Sequence, residues 1–344
     1  MSKNIVVCID GTWNTATSSV APSTNVHLLW QLAVQRNQIK FYFPGVGTRR
    51  GLLGRRLEGA TGKGVFQTAR DAWEQVSGNF EPEDKIFIFG FSRGAYAARH
   101  LASMIVRRGL RGWQGKLEEE FRQWRTEIKS ASTTVRGEVY FLGLFDCVPA
   151  NHLYVMRDRS YYLNEGTLES GIVHFRHAVS RDERRWSFRP IVFKRTDQQK
   201  SFEQLWFPGF HSDVGGGLGI ASGLASFSLW WILREAFSLG LDFQDIGCSD
   251  HDRKCETLNF IWSIDPEDKP VPSDYWTTRA GLTWDRTRRE LENTPGETPH
   301  IASLVDCPRC GKEMFDYFKT NGGQRWIQSV RERLAEQSGA PTLP

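Results

Sequence analysis

Gly90-Phe91-Ser92-Arg93-Gly94 forms a G-x-S-x-G pentapeptide between the apolar run Lys85–Phe89 and the small-residue stretch Ala95–Ala102. That context reads as strand, sharp turn and helix. Such a turn strains the serine backbone, lifts its Oγ clear of the sheet edge, and needs glycines where a Cβ would strike the neighbouring strand or helix. The chemistry open to Ser92 is nucleophilic attack on a carbonyl carbon, provided a base and an acid stand near it. The competing reading is an ordinary βα turn in which a serine caps a helix. What separates the two is whether a histidine and a carboxylate follow in the order Ser, Asp, His.

Both follow. The strand-like run Glu203–Pro208 ends in Pro208-Gly209-Phe210-His211-Ser212-Asp213-Val214-Gly215-Gly216-Gly217, a glycine-rich loop carrying one histidine. A histidine just past a strand end can turn its Nε2 toward a serine on a nearby strand end, so His211 is the candidate general base. Val139–Phe145 is a continuous apolar run, expected of a strand buried on both faces, and Asp146 stands at its end as the preferred acid. Asp182 and Asp213 are the alternatives, although Asp213, two positions from His211, is better suited to shaping its own loop. His100 falls on the helix after Ser92 and His174 and His177 on a strand, whereas His27, His152, His251 and His300 have no strand-end or glycine context. All seven are read as structural.

These residues need a scaffold that gathers strand ends. Asn4–Asp10 and Gln38–Phe43 read as strands, Val26–Ala33, Gly64–Val76 and Leu224–Phe237 as helices, and the alternation predicts a mostly parallel central sheet with helices on both faces, an α/β-hydrolase fold. Residues 1–240 are expected to form the catalytic core, 241–335 a C-terminal cap or covering region, and 336–344 a disordered tail. Arg49–Lys63, rich in glycine, arginine and leucine, reads either as a flap beside the site or as a solvated surface loop.

Composition narrows the class. A chain of 344 residues with 40% hydrophobic and 24% charged residues fits one large soluble domain, and a formal charge of +4 is too small for a nucleic-acid binder. The N-terminal apolar run ends too early at Asp10 for a signal peptide, and no stretch of about eighteen uncharged apolar residues offers a transmembrane span, so synthesis in the cytoplasm is expected. Six cysteines do not make a disulfide framework at this length. Cys8 and Cys147 read as small buried hydrophobes. Cys307 and Cys310 have zinc-knuckle spacing, but Cys248 and Cys255 are too far apart to complete it, so no metal is predicted. Gly62-Lys63 lacks the remainder of a Walker loop, and Cys8-Ile9-Asp10-Gly11-Thr12 lacks the first carboxylate of an aspartate-nucleophile phosphatase.

Five separated segments, Ile9-Asp10-Gly11-Thr12-Trp13-Asn14, Ser23-Thr24-Asn25-Val26, Phe43-Pro44-Gly45-Val46-Gly47, Gly90–Tyr96 and Trp206–Gly216, resemble in order the α/β-hydrolase family first described as a domain of unknown function (DUF2235). Several of its members are phospholipase effectors of the type VI secretion system. The resemblance covers residues 4–240 and fades beyond them, where no long membrane-anchoring module is evident. It implies a serine ester hydrolase working through an acyl-enzyme, with Ser92 as nucleophile, His211 as base and Asp146 as acid. It also implies an oxyanion hole from the backbone of Gly11, Thr12 and Arg93, supported by Asp10, Gly90, Gly94 and Asp213. No cofactor is called for. The implied substrate is a lipid-like or phospholipid ester met at a membrane surface, and the implied partners are a secretion apparatus and an immunity protein, with delivery to another compartment or cell. Two other readings stand beside it: a cytoplasmic small-molecule esterase, thioesterase or amidase, and a catalytically silent binding module.

Overall fold

The computed structural model describes residues 2–11, 24–45, 63–110, 116–128, 135–149, 166–180, 183, 185, 188–195, 197–207, 209–217 and 225–243. Thr12, Asp182, nearly all of the Arg49–Lys63 segment, the region from 244 onward with Cys248, Cys255, Cys307 and Cys310, and the tail lie outside the described residues.

Among the described residues, six strands, β1 (Asn4–Ile9), β2 (Gln38–Phe43), β3 (Lys85–Phe91), β4 (Val139–Phe145), β5 (Ile172–Ser180) and β6 (Ser201–Phe207), form one sheet in the order β2-β1-β3-β4-β5-β6. Every neighbouring pair is parallel. Parallel neighbours require crossovers, and among the described residues helices pack on both faces of the sheet. Successive strand residues point to opposite faces. In β1, Ile5, Val7 and Ile9 join one core, while Val6 and Cys8 join the other. In β3, Ile86 and Ile88 face the first core, and Phe87, Phe89 and Phe91 the second. That two-sided burial is why these strands are apolar throughout instead of alternating.

Helices α2 (Lys63–Asn79), α3 (Arg93–Arg108) and α4 (Leu117–Glu127) cover the first face through Trp73, Val76, Leu101, Ile105 and Trp124. Helices α1 (Asn25–Leu32) and α6 (Ala225–Ser238) cover the second through Leu29, Leu32, Leu229, Ile232 and Phe237. The chain leaves β1 toward one sheet edge and returns to place β3 on the other side of β1. The crevice at the C-terminal ends of β1 and β3 is therefore the topological switch point, where open α/β sheets carry their sites. Two elements depart from expectation. Helix α4 was not anticipated; it has three glutamates in its first turn and Arg125 in its last, which suits the helix dipole. The glycine-rich segment after β6 was expected to be loop, but His211–Gly215 forms a short helix, α5, closed by Gly216 at φ 78°.

Candidate active site

Ser92 sits between the last residue of β3 and the first of α3 with φ 59° and ψ −127°, a region that an L-residue occupies only under constraint. The flanking glycines show what enforces the turn. A Cβ at Gly90 would lie 2.6 Å from the Ala95 Cα, and one at Gly94 would lie 2.3 Å from the Asp10 carbonyl oxygen. Strand, helix and the end of β1 approach so closely that only hydrogen fits. The Ser92 N–H donates to the Phe145 carbonyl at 3.0 Å, which ties the turn to the end of β4.

Asp146 follows β4 directly, in the left-handed region at φ 38°, with its carboxylate fully buried. The Ser180 N–H and Oγ donate to its two oxygens, each at 2.8 Å, from the end of the adjacent strand β5. His211 opens α5 just past β6. Its Nδ1 is 2.6 Å from Asp146 Oδ2 and its Nε2 is 2.8 Å from Ser92 Oγ. A carboxylate already accepting two hydrogen bonds takes the Nδ1 proton as a third, leaving Nε2 to accept from the serine hydroxyl. Ser92, His211 and Asp146 thus form one buried hydrogen-bonded line across the ends of β3, β6 and β4. Asp213 Oδ2 accepts from the Phe210 N–H at 2.8 Å and sets the entry to α5. Gly209, at φ 97°, has no room for a Cβ because the Asp213 side chain fills that space.

The imidazole is flanked by Phe91, with ring centroids 4.7 Å apart, and by Phe188, edge-on at 4.8 Å. Behind it, the Cys147 N–H donates to His177 Nε2 at 3.0 Å, so His177 Nδ1 carries the proton and donates to Gln204 Oε1 at 2.8 Å. This buried relay holds the turn that presents Asp146. Burial pushes the Cys147 thiol up to about 12, which keeps it protonated at neutral pH.

The loop after β1 meets the elbow because β1 and β3 are neighbours in the sheet. Asp10 is buried there and accepts from the Gly11 N–H at 2.6 Å, the Thr24 hydroxyl at 2.7 Å and the Tyr42 hydroxyl at 2.6 Å. Burial, and then the charge of Asp10, push the Tyr42 phenol far above its ordinary value, so it remains a donor. The Gly11 N–H is thus turned to the Asp10 carboxylate, and Thr12 lies outside the described residues. Arg93 begins α3 beside Ser92, and burial lowers its guanidinium to about 10, still cationic at neutral pH. Asn25 Nδ2 donates to the Val214 and Ala225 carbonyls, fastening α1 to the segment that carries His211.

Ser180, Phe188, Glu183 and His177 escaped sequence reasoning as parts of this site. A usable signal existed for Ser180 alone, since it ends the strand next to the one that ends at Asp146. Among the described residues no group of His, Cys, Asp and Glu has the grouping of a metal site, and no helix is long and apolar enough to cross a membrane.

Comparison with known proteins bears on this geometry. The family model described as "T6SS, Phospholipase effector Tle1-like, catalytic domain" matches residues 3–235, from β1 into α6. The chain belongs to this family. The matched span contains Ser92, Asp146 and His211. An uncharacterized protein of Saccharomyces cerevisiae is 34% identical over 230 residues, covering 56% of this chain and 33% of that protein. The solved structure of the Tle1 effector bound to the VgrG spike of the type 6 secretion system is similar at 21% identity and a TM-score of 0.41, covering 65% of this chain and 52% of that one. A crystal structure of an uncharacterized protein from Pseudomonas aeruginosa shares 18% identity with a TM-score of 0.44, covering 99% of this chain and 62% of that one. The chain therefore spans a third of the length of its yeast relative and between half and two thirds of the two solved chains.

Proposed function

We propose that the chain is a serine hydrolase that cleaves carboxylic esters of lipids. The observation that carries this reading is the unbroken line Ser92 Oγ, His211 Nε2, His211 Nδ1, Asp146 Oδ2, at 2.8 and 2.6 Å. In the first step His211 takes the Ser92 proton as Oγ attacks the ester carbonyl, and Asp146 stabilises the imidazolium. The imidazolium then protonates the departing alkoxide, leaving an acyl-serine. Water, deprotonated by the same imidazole, attacks that acyl group and frees the fatty acid.

The tetrahedral oxyanion is received by the backbone N–H of Arg93, in the first turn of α3, where the helix dipole also favours negative charge. A second donor is proposed at Thr12, outside the described residues, since the Gly11 N–H is drawn toward Asp10. Each such donor is worth about 3 kcal/mol of barrier.

Family membership supports phospholipid as the ester class, because the family is described as one of phospholipase effectors. The same description names the type VI secretion system and so also supports delivery into another cell by a secretion apparatus. Labelling with a fluorophosphonate tests the chemistry: the wild type is expected to react and Ser92→Ala to stay unlabelled. Hydrolysis of p-nitrophenyl esters of rising chain length, followed by phosphatidylglycerol and phosphatidylethanolamine vesicles, tests the substrate. Activity that falls as the acyl chain lengthens, with intact vesicles, favours a small-molecule esterase. Equal labelling of the wild type and Ser92→Ala rejects the serine mechanism altogether.

A further inference from the structure

Glu183 and Arg185 form an ion pair at the end of β5 that is almost wholly enclosed, at 2% and 7% exposure. Arg185 Nε and a terminal guanidinium nitrogen donate to the two Glu183 oxygens at 2.9 and 2.7 Å, and the Arg185 N–H donates to the first at 2.8 Å. Enclosed pairs of this kind are weak sources of stability, because the cost of stripping water from both charges offsets most of their attraction. Their position makes sense of them. The Glu183 oxygen that accepts the terminal guanidinium nitrogen also accepts the His211 backbone N–H at 3.2 Å. The Arg185 guanidinium lies over the Phe188 ring at 3.6 Å, and Phe188 meets the His211 imidazole edge-on. One pair therefore reaches His211 twice, through its main chain and through the ring that packs on its side chain.

We infer that Glu183, with Arg185 as its counter-ion, is the positioning residue that holds the His211 imidazole in line between Ser92 and Asp146. The inference rests on the serine-hydrolase reading of that site. Without the hydrogen bond from the His211 N–H, the first residue of a five-residue helix loses one of the ties that set its direction. A displaced base costs rate because the serine proton must pass across a single short contact. Glu183 also acts electrostatically. Burial opposes its charge, but the hydrogen bonds and charge of Arg185, followed by the charge of His211, hold its carboxyl below the ordinary range. An anionic Glu183 in turn favours the imidazolium formed during attack. Among the described residues, the charged and titratable groups in contact with His211 or with the residues packed on it include Asp146 at Nδ1, Ser92 at Nε2, Glu183 at the main chain, Arg185 behind Phe188, and Asp213, which accepts from the Phe210 N–H.

The test uses the full chain, with p-nitrophenyl butyrate as substrate and fluorophosphonate titration to count competent sites. Per titrated site, Glu183→Gln is expected to lower kcat about 10- to 100-fold with little change in KM. It is also expected to move the acid limb of the pH–rate profile to lower pH, because the imidazolium loses a neighbouring anion and keeps the Arg185 cation. Glu183→Asp keeps the charge but not the reach, and is expected to lose rate with the acid limb in place. Unchanged kcat and acid limb per titrated site in Glu183→Gln overturns the inference, as does a loss confined to the number of titrated sites. Failure of both variants to yield any titratable protein also overturns it, since the pair would then be a folding element. A wild type that does not titrate at all defeats the serine-hydrolase reading, and this inference with it.

Discussion

Ser92 Oγ lies 2.8 Å from His211 Nε2 although 119 positions separate the two residues in the chain. Sheet order closes that distance: β3, β4, β5 and β6 lie side by side, and the residues that follow β3, β4 and β6 converge at one end of the sheet. On the proposed mechanism, removing the hydroxyl removes the nucleophile. Ser92→Ala is expected to lower kcat toward p-nitrophenyl esters by about 10⁶-fold while leaving the circular dichroism spectrum intact. Residual turnover within tenfold of the wild type would point to another nucleophile.

Asp146 accepts from His211 and twice from Ser180, so its exchange for asparagine swaps an acceptor for a donor and turns the imidazole to the wrong tautomer. Asp146→Asn is expected to cost about 10⁴-fold in kcat, with recovery as hydroxide replaces the base at high pH. Ser180→Ala, which removes one donor and leaves the charge, is expected to cost far less. Steady-state kinetics from pH 6 to 10 checks both outcomes.

Gly94 has the end of β1 against it, with the Asp10 carbonyl oxygen 2.3 Å from where a Cβ would stand. Backbone cannot swing aside as a side chain can. Gly94→Ala is expected to destabilise the fold by about 3 kcal/mol or more, read as a lowered urea midpoint. Gly78→Ala, on α2 with nothing within 4 Å of its added Cβ, serves as the control. It is expected to leave stability unchanged or raise it slightly by helix propensity.

Glu235 on α6 is paired with Arg176 on β5 at 2.9 Å and with Arg234 at 2.7 Å. Burial works against its charge, but Arg176 and Arg234 together hold its carboxyl below the ordinary value. A carboxyl depressed in the folded state contributes stability that is present above its unfolded pKa and is lost as pH falls through the folded one. Glu235→Gln is therefore expected to be less stable than the wild type by about 1 kcal/mol at pH 7, with the difference closing below about pH 4. Urea denaturation at several pH values measures this, and a gap that widens on acidification would contradict it.

Local chemistry explains what was legible in the chain beforehand. The elbow could be read because a strained turn flanked by two steric contacts admits few residue types, and Gly90, Ser92 and Gly94 are those types. Strands β1, β3 and β4 could be read because burial on both faces leaves continuous apolar runs. The acid was narrower ground: Asp146, Asp182 and Asp213 all follow or adjoin strand-like segments, and no sequence feature states which strand ends meet. The turn at Asp146 in particular has no glycine to mark its left-handed backbone. Helix α5 was hidden because its glycines argue for a loop, whereas the Asp213 hydrogen bond to the Phe210 N–H starts a helical turn.

By itself the sequence pointed to the candidate nucleophile, the candidate base and the parallel, doubly covered sheet, since each depends on contacts within a few residues or on the periodicity of burial. Only the tertiary structure decided that Asp146 meets His211, that Ser180 secures that carboxylate, that the Gly11 N–H is taken by Asp10, and that Glu183 and Arg185 stand behind the base. Apart from the hydrogen bond between the chain neighbours Asp10 and Gly11, those relations join segments that follow different strands. They follow from sheet order and register, which the pattern of residue types along one chain does not encode locally.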